Sequence, residues 1–248
     1  MSFDRLAPHY RWMEWLLAGS KLQRCRTTFL DTLPLAQHVL LLGEGNGRFL
    51  REFLRKQPTA RVTCVDDSPC MLKEARRRMP ANPRVTFVCC DVAEWKPPQG
   101  AFDFVVSNFF LDCFRLEQIE LIAEKISAAL TDNAHWLIAD FCEPCRGWRK
   151  WRARVILRAM YWFFRHATAL PARRLTAPDT ILARHGFELQ ARRTFEWGLL
   201  QSDLWVRRHK AGGAVPSAPQ ITFNMRAHPY SRSILVDGSP TDIRMIGS

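Results

Sequence analysis

The sequence predicts a single α/β domain with a mostly parallel seven-stranded sheet, helices on both faces and an antiparallel last strand. Short apolar runs alternate with amphipathic stretches through the middle of the chain, which is the pattern of repeated β–α units. Three glycines lie directly between the first of these strands and the helix that follows it. Of the 248 residues, 47% are hydrophobic and 24% are charged, so the composition is that of a globular protein.

The predicted elements follow in chain order. The strands cover residues 38–42, 61–65, 84–89, 102–107, 134–139, 187–195 and 200–207. The helices between the first five strands cover residues 49–56, 69–79 and 116–130. In the last of these helices, apolar residues recur on one face. The short connection 196–199 predicts that the last two strands pair in antiparallel fashion.

Residues 146–175 interrupt this pattern as an insertion. Within them, 147–166 has the composition of a long basic and aromatic helix, and a short helix over 178–185 follows the insertion. Residues 211–248 begin with AGGAVPSAPQ and show no sustained hydrophobic period. We therefore predict one domain over 1–210, with N-terminal lid helices over 1–37 and a flexible linker and tail over 211–248.

Positive charge is concentrated in one late segment. Residues 146–210 contain 15 Lys and Arg against 4 Asp and Glu, whereas residues 1–145 contain 18 of each kind. A local basic surface favours an anionic partner, which can be membrane phospholipid, an acidic substrate or nucleic acid. No recognisable RNA-binding module is present, so nucleic acid ranks lowest. The sequence does not indicate an oligomeric state.

The N-terminal segment and the cysteines indicate a compartment. Charges interrupt every apolar stretch near the N-terminus, so the continuous apolar region of a secretory signal is missing. Most of the eight cysteines lie in apolar, strand-like segments, which favours buried free thiols in a reducing environment. Cys142 and Cys145 form a C-x-x-C pair without a second pair or a histidine at zinc-site spacing. We expect a cytoplasmic protein without a metal site or a transmembrane helix.

A glycine loop and an acidic residue indicate a nucleotide-like ligand. Gly43, Gly45 and Gly47 precede a helix whose N-terminus offers free amide donors. Asp66 ends the next strand, where a carboxylate can accept hydrogen bonds from both hydroxyls of a ribose. Nicotinamide-binding folds use G-x-G-x-x-G, but here the position of that third glycine is occupied by Arg48. The ligand is therefore expected to differ from a nicotinamide dinucleotide.

Four segments in order resemble the motifs of class I S-adenosylmethionine-dependent methyltransferases, over roughly residues 38–145. LLGEGNG resembles their D-x-G-x-G-x-G loop, and VDDSPCML resembles V-D-x-S-x-x-M-L. CDVAEW resembles the strand end that contacts adenine, and FDFVVSNFFLDCF resembles F-D-x-V-x-S-x-x-x-L-H-H-F. The resemblance implies a Rossmann-like fold, S-adenosylmethionine as cofactor, and these cofactor-binding residues: Gly43, Glu44, Gly45, Asn46, Gly47, Asp66, Asp67, Met71, Asp91, Val92 and Asn108.

One position departs from this family pattern. The acidic residue that the family carries before the loop is Leu41 here, which has no side chain for the cofactor's ammonium group. Glu44, inside the loop, can substitute for it or can be a solvated loop carboxylate.

The N-terminal segment resembles the start of ubiquinone and menaquinone C-methyltransferases. Phe3, Asp4, Ala7, Tyr10 and Met13 match that family's pattern. In the family this segment helps to cover the cofactor and to shape the acceptor pocket. However, an Arg replaces the Asp expected after Tyr10, so the specific substrate is not implied.

Methyl transfer needs alignment of the acceptor and few dedicated residues. We identify Asp112 as the candidate base for a phenol, enol or quinol acceptor, because it stands where family members often carry His. Its alternative role is the N-cap of the helix that begins near Leu116. Tyr10 can donate a hydrogen bond to an acceptor oxygen or pack as part of the lid.

The helix over 147–166 carries Trp148, Trp151, Val155 and Trp162 on one face. Further apolar residues are expected to widen this surface: Leu157, Met160, Tyr161 and Phe164. Flanking arginines make it typical of a helix at an anionic membrane interface. The alternative is a helix that roofs the acceptor pocket with its aromatics and exposes its arginines to water. Both interpretations favour a hydrophobic acceptor.

The expected function is methyl transfer from S-adenosylmethionine to a lipophilic small molecule, such as a quinone-like or phenolic ring. One alternative is an O- or N-methyltransferase of a polar or lipid-headgroup acceptor. Another is a catalytically inactive binding or regulatory protein on the same fold, which Leu41 brings into consideration.

Overall fold

The computed structural model describes residues 19–79, 82–144, 146–168 and 175–208, without the side chains of 163–168. The strands are β1 His38–Leu42, β2 Arg61–Asp66, β3 Val85–Cys89, β4 Phe102–Asn108, β5 Leu130–Phe141, β6 Phe187–Phe195 and β7 Leu200–Arg207. The helices are α1 Gly19–Arg26, α2 Arg48–Lys56, α3 Pro69–Arg78, α4 Leu116–Ala129, α5 Gly147–Thr168 and α6 Asp179–Arg184. Two short 3₁₀ turns cover Leu111–Cys113 and Glu196–Gly198.

The seven strands form one sheet in the order β3-β2-β1-β4-β5-β7-β6. β7 is antiparallel to both of its neighbours, whereas the pairs from β3 through to β5 are all parallel. The predicted fold class is therefore confirmed. The chain moves outward from β1 to β3 and then returns to β4 on the other side of β1. This reversal places a ligand crevice at the carboxyl ends of β1 and β4.

The sheet is buried on both faces. Leu40 of β1 packs in a core cluster with Ile126 of α4 and Trp136 of β5, whereas Leu41 packs in a second cluster with Phe53 of α2. Neighbouring residues of one strand point to opposite faces, so these two clusters lie on opposite sides of the sheet. Helices therefore cover both faces, as the near-continuous apolar strands predicted.

The start of β5 differs from the prediction. The sequence predicts a helix as far as residue 130 and a strand from residue 134, but β5 already begins at Leu130. Leu130 pairs with Phe102, and the pairing register shifts between Phe102 and Phe104. Asn133 has a φ of 62° in this irregular segment. Its short polar side chain tolerates the left-handed backbone that the irregular segment requires.

The cysteine prediction is right in part. Cys25 and Cys64 are buried free thiols, but Cys70 and Cys89 are exposed. Cys145 lies outside the described residues. In the described ranges, no group of three or more His, Cys, Asp and Glu side chains is placed to hold a metal ion. Across the same ranges, no helix is both long and apolar enough to cross a membrane.

Candidate functional site

The glycine loop lies between β1 and α2, at the carboxyl edge of the sheet. Gly43, Gly45 and Gly47 all have positive φ, of 61°, 66° and 79°. A Cβ at Gly43 would overlap the ring of Phe110, and one at Gly47 would lie 2.8 Å from the Cα of Ala75. A Cβ at Gly45 would meet nothing within 4 Å. Gly43 and Gly47 are thus required by packing, whereas Gly45 borders open space where a ligand can approach the backbone.

Asp66 holds this loop to the end of β2. Its Oδ2 accepts a hydrogen bond from the Gly45 N–H at 3.0 Å, and its Oδ1 accepts one from the Ser68 N–H at 2.9 Å. The side chain is nearly buried, with 9% of the residue exposed. A carboxylate oxygen accepts more than one hydrogen bond, so Asp66 has the chemistry for the predicted ribose contacts.

Glu44 is engaged with α2 rather than freely solvated. Its Oε1 accepts a hydrogen bond from the Leu50 N–H at 2.9 Å, in the first turn of that helix. The residue at the N-cap position is Gly47, which has no side chain to cap with. Burial raises the pKa of Glu44 to about 7. A cation near this carboxylate would favour its ionised form, so the site suits an ammonium group.

Two buried amides face the same edge of the sheet with unused hydrogen-bonding groups. Asn46 is 5% exposed and Asn108, at the end of β4, is 8% exposed. Among the described residues, Asn46 Nδ2 has no acceptor and Asn108 Oδ1 has no donor. A buried polar atom without a partner costs about 1–3 kcal/mol. A ligand with both donors and acceptors would remove this cost, so the residues present fit the expected cofactor.

The other predicted cofactor residues follow the neighbouring strands. Asp67 comes directly after β2, and Met71 is buried in the first turn of α3. Asp91 and Val92 come just after β3, where Asp91 Oδ1 accepts a hydrogen bond from the Ala93 N–H at 2.8 Å. The structure therefore brings the predicted cofactor residues to the carboxyl ends of adjacent strands. Tyr10, the second predicted catalytic residue, lies outside the described residues.

Asp112 and Asp140 form a buried acid pair. They are 6% and 7% exposed, and their side chains hydrogen-bond to each other. Burial raises the pKa of Asp112 to about 6, and burial together with the Asp112 charge raises that of Asp140 well above its ordinary value. The Cys113 thiol also donates to Asp112 Oδ1, at 3.5 Å. Two buried carboxyl groups this close oppose each other's ionisation, so the pair favours a singly protonated state.

The N-cap alternative for Asp112 is wrong. Asp112 lies in the 3₁₀ turn Leu111–Cys113, and α4 begins later, after Arg115. The Arg115 N–H donates instead to Gln118 Oε1 at 3.0 Å. The Asp112 carbonyl accepts a hydrogen bond from the Tyr161 hydroxyl at 3.1 Å, which ties this turn to α5.

Phe109, directly after β4, has a strained backbone that sequence reasoning missed. Its φ is 52°, a left-handed conformation that is rare for a bulky residue and costs about 1–3 kcal/mol. Its N–H donates to the Ala139 carbonyl at 2.6 Å, and its ring lies 5.2 Å from that of Phe141. The Arg26 guanidinium lies 5.0 Å from the same ring. These contacts fix the segment that leads from Asn108 to Asp112.

The raised acid pKa values predict that the protein loses stability as pH rises. Asp112, Asp140 and Glu44 all bind protons more tightly in the folded state, so their contribution is complete below about pH 4. The contributions of Asp112 and Glu44 are lost as pH rises through about 6 and about 7. We expect the free energy of unfolding in urea to fall by a few kcal/mol, at about 1.4 kcal/mol per unit of pKa shift, between about pH 5 and about pH 8. Asp140→Asn should make this decline shallower. A decline as steep as in the wild type would contradict the buried pair.

One face of α5 packs onto the domain. Ala153, Leu157, Met160 and Tyr161 are buried in a cluster with Leu199. The expectation that Leu157, Met160 and Tyr161 widen an exposed apolar surface is therefore wrong. Both faces of the helix are apolar, and periodicity alone does not tell which face meets the sheet. The side chain of Phe164 lies outside those described.

The opposite face of α5 is exposed and rich in tryptophan. Trp148, Trp151, Val155 and Trp162 are 61%, 71%, 48% and 64% exposed. The predicted grouping of these four residues on one face is confirmed by this shared exposure. Trp148 also lies 6.2 Å from the ring of Trp197, in the turn between β6 and β7. We call the four residues the tryptophan face.

A cleft of about 1290 Å³ lies between α5, the end of β5 and the β6–β7 hairpin. Asp140 of the acid pair and Tyr161 are part of its wall. Five arginines line it, and we call it the arginine cleft: Arg146, Arg149, Arg154, Arg158 and Arg192. It therefore connects the acid pair with the basic segment that the charge distribution indicated.

The chain is similar to known methyltransferases in part of its length. Residues 39–133 match the model of the methyltransferase domain. Trans-aconitate 2-methyltransferase of Paracidovorax citrulli (strain AAC00-1) is 42% identical over 77 residues, which are 31% of this chain and 28% of that protein. Demethylmenaquinone methyltransferase of Chlamydia felis (strain Fe/C-56) is 33% identical over 144 residues, which are 58% of this chain and 61% of that protein. The chain thus spans less than two thirds of the length of these relatives.

A solved structure has the same architecture. The 1,6-didemethyltoxoflavin-N1-methyltransferase of Burkholderia thailandensis was crystallised with 1,6-didemethyltoxoflavin and S-adenosylhomocysteine. It matches with a TM-score of 0.60 at 19% identity, over 83% of this chain and 86% of that one. The likeness establishes the Rossmann-like methyltransferase fold.

Proposed function

We propose that this chain, whose residues 39–133 match the model of the methyltransferase domain, transfers a methyl group from S-adenosylmethionine to a lipophilic small molecule. A quinone-like or phenolic ring is the acceptor that we favour. The observation that carries the proposal is the carboxyl edge of the sheet. There the glycine loop, Asp66 and two buried amides, each with one atom that has no hydrogen-bond partner among the described residues, lie beside a buried acid pair.

Each group at this edge has a distinct task in the proposal. S-adenosylmethionine supplies the electrophilic methyl group when it is bound. Asp66 accepts hydrogen bonds from the ribose, and Asn46 and Asn108 use their free amide atoms on the same ligand. Asp112 accepts the proton of an acceptor hydroxyl, because a carboxylate with a pKa near 6 is ionised at neutral pH. Asp140 donates a hydrogen bond that keeps the Asp112 carboxylate in place.

Two binding measurements and one assay test this proposal. Calorimetry should detect binding of S-adenosylmethionine and S-adenosylhomocysteine; no binding at millimolar ligand would remove the cofactor assignment. Mass spectrometry of cell extracts incubated with the protein and methyl-labelled cofactor should then reveal one labelled lipophilic product. Binding without any labelled product would favour the inactive binding or regulatory protein that Leu41 brings into consideration.

We also propose that the tryptophan face contacts an anionic membrane surface. The four exposed side chains would sit at the level of the lipid headgroups, as tryptophans do at membrane interfaces. The insertion contributes flanking positive charge, and helix α5 has no acidic residue in its first turn. Charge complementarity therefore selects anionic lipid. The protein would then meet a lipophilic acceptor where it is dissolved.

Vesicle flotation checks this surface. The wild type should float with vesicles that mix phosphatidylglycerol and phosphatidylcholine, and less so at high salt because charges are screened. Trp151→Ser should lower the bound fraction severalfold, since the side chain of Trp151 is the most exposed of the face. Leu121→Ser is the matched control, because Leu121 is a large apolar residue, 64% exposed, on a different helix. An equal loss of the vesicle-bound fraction in the two variants, or no flotation of the wild type, would refute membrane contact by the tryptophan face.

A further inference from the structure

The charges of the arginine cleft do not balance. Arg154 Nε binds Glu143 Oε1 at 2.8 Å, and the Arg192 guanidinium binds Asp203 at 2.8 Å and also Asp179. Within the part of the chain that the structure describes, Arg146, Arg149 and Arg158 make no such pair with a carboxylate. Burial and the Asp112 charge raise the pKa of Asp140, the remaining acid in the wall, well above its ordinary value. Five arginines against the carboxylates of Glu143, Asp179 and Asp203 leave a surplus of two positive charges when Asp140 is protonated.

The cleft is also long and partly apolar. Leu157, Trp162 and Trp197 contribute apolar surface to its wall. Arg154 and Arg158 are four residues apart on α5 and share one helical side. Tyr161 follows Arg158 by three residues, about 4.5 Å along the helix axis, and its hydroxyl bonds the Asp112 carbonyl. A path with positive charge and apolar contacts therefore ends at the acid pair.

The turn Glu196–Gly198, between β6 and β7, forms part of the cleft wall, and contacts with α5 hold it in place. Glu196, Trp197 and Gly198 all have positive φ, at 52°, 56° and 89°. The Arg152 guanidinium lies 4.7 Å from the Trp197 ring and also donates to the Glu196 carbonyl at 3.3 Å. Two consecutive left-handed residues other than glycine are costly, and such strain is concentrated at binding sites. The contacts of Arg152 therefore hold this turn in a strained conformation of the kind found at binding sites.

We propose that the arginine cleft binds an oxyanion group, a carboxylate or a phosphate, carried by an otherwise apolar acceptor. Arg146 and Arg158 hold the anion, because guanidinium groups bind carboxylate and phosphate through paired charge-assisted hydrogen bonds. The apolar part of the acceptor contacts Leu157 and Trp162, and its reactive end lies toward Asp112. This inference rests on the proposed methyl transfer and narrows its acceptor to an anionic amphiphile.

The test uses three probes with the same alkyl chain and different head groups. Nonanoate, octyl phosphate and octanol are titrated into the 248-residue chain by calorimetry, at low and high salt. One or both anions should bind, more weakly at high salt, and octanol should bind at least tenfold more weakly. A preference between the two anions tells a carboxylate acceptor from a phosphate one.

Two variants attribute the binding to the cleft. Arg146→Gln/Arg158→Gln should weaken binding of the preferred anion by about tenfold or more, as the loss of one charge-assisted bond does. Arg55→Gln is the matched control, because Arg55 is an exposed arginine that pairs with Glu52 on α2, outside the cleft. Equal binding of octanol and the anions, or an unchanged affinity in the double variant, would overturn the inference.

A parallel titration separates this inference from the proposed function. S-adenosylhomocysteine should bind the wild type and the double variant equally, because neither arginine belongs to the glycine loop. Binding of S-adenosylhomocysteine without binding of either anion would refute the anion site in the arginine cleft and leave the proposed methyl transfer in place. Anion binding without S-adenosylhomocysteine binding would refute the proposed methyl transfer and leave the anion site of the cleft in place.

Discussion

Asp66→Asn is expected to weaken S-adenosylhomocysteine binding by about 30- to 1000-fold, or about 2–4 kcal/mol. The substitution keeps the shape of the side chain but removes its charge and one acceptor oxygen. Asp66 already holds the Gly45 and Ser68 amides. An asparagine oxygen cannot serve both amides and a ribose, so ligand contacts are lost with the charge. Calorimetry with purified variant and wild type measures the effect.

Asp103→Asn is the matched control for this experiment. Asp103 also holds two backbone amides, those of Gln37 at 2.8 Å and His38 at 3.0 Å, but at the amino end of β1. Both variants should lose a similar stability of about 1–2 kcal/mol against urea, while only Asp66→Asn should lose ligand affinity. Similar affinities in the two variants would show that Asp66 acts only as a support for the loop.

The central part of the sheet could be predicted closely because its strands are buried on both sides. The run HVLLL leaves little freedom in the position of β1. The predicted and observed bounds of β6 and β7 also agree, although β6 is a largely exposed edge strand. The glycine loop was predictable for a related reason. Gly43 and Gly47 have positive φ and crowded surroundings, which few other residues tolerate.

Residues of the candidate site could be predicted only where a single segment of the sequence contains the motif to which they belong. The sequence identifies Asp112 but not its partner Asp140, because β4 and β5 are neighbours only in the folded sheet. Glu44 caps α2 because the N-cap residue is a glycine, a consequence that depends on where the helix begins. The arginine cleft likewise needs α5 to be docked on the β6–β7 hairpin. Charge counting located the basic segment but not the cavity that its arginines line.

Asp112→Asn is expected to lower the turnover number by about 10²- to 10⁴-fold, which is the usual contribution of a general base. Binding of S-adenosylhomocysteine should stay close to that of the wild type, because Asp112 lies outside the glycine loop. The assay follows transfer of labelled methyl to the acceptor identified in extracts. A variant that keeps turnover within tenfold of the wild type would exclude Asp112 as the base.

The pH profile distinguishes a base from a structural aspartate. Since the base must be ionised, the wild-type rate should rise with pH through about 6 and then level off. Asp140→Asn keeps an amide donor to Asp112, so the midpoint should stay near its wild-type value. Asp140→Ala removes the hydrogen bond that lowers the pKa of Asp112, so the midpoint should move to higher pH. A merely structural role for Asp140 would lower the rate of both variants without separating their midpoints.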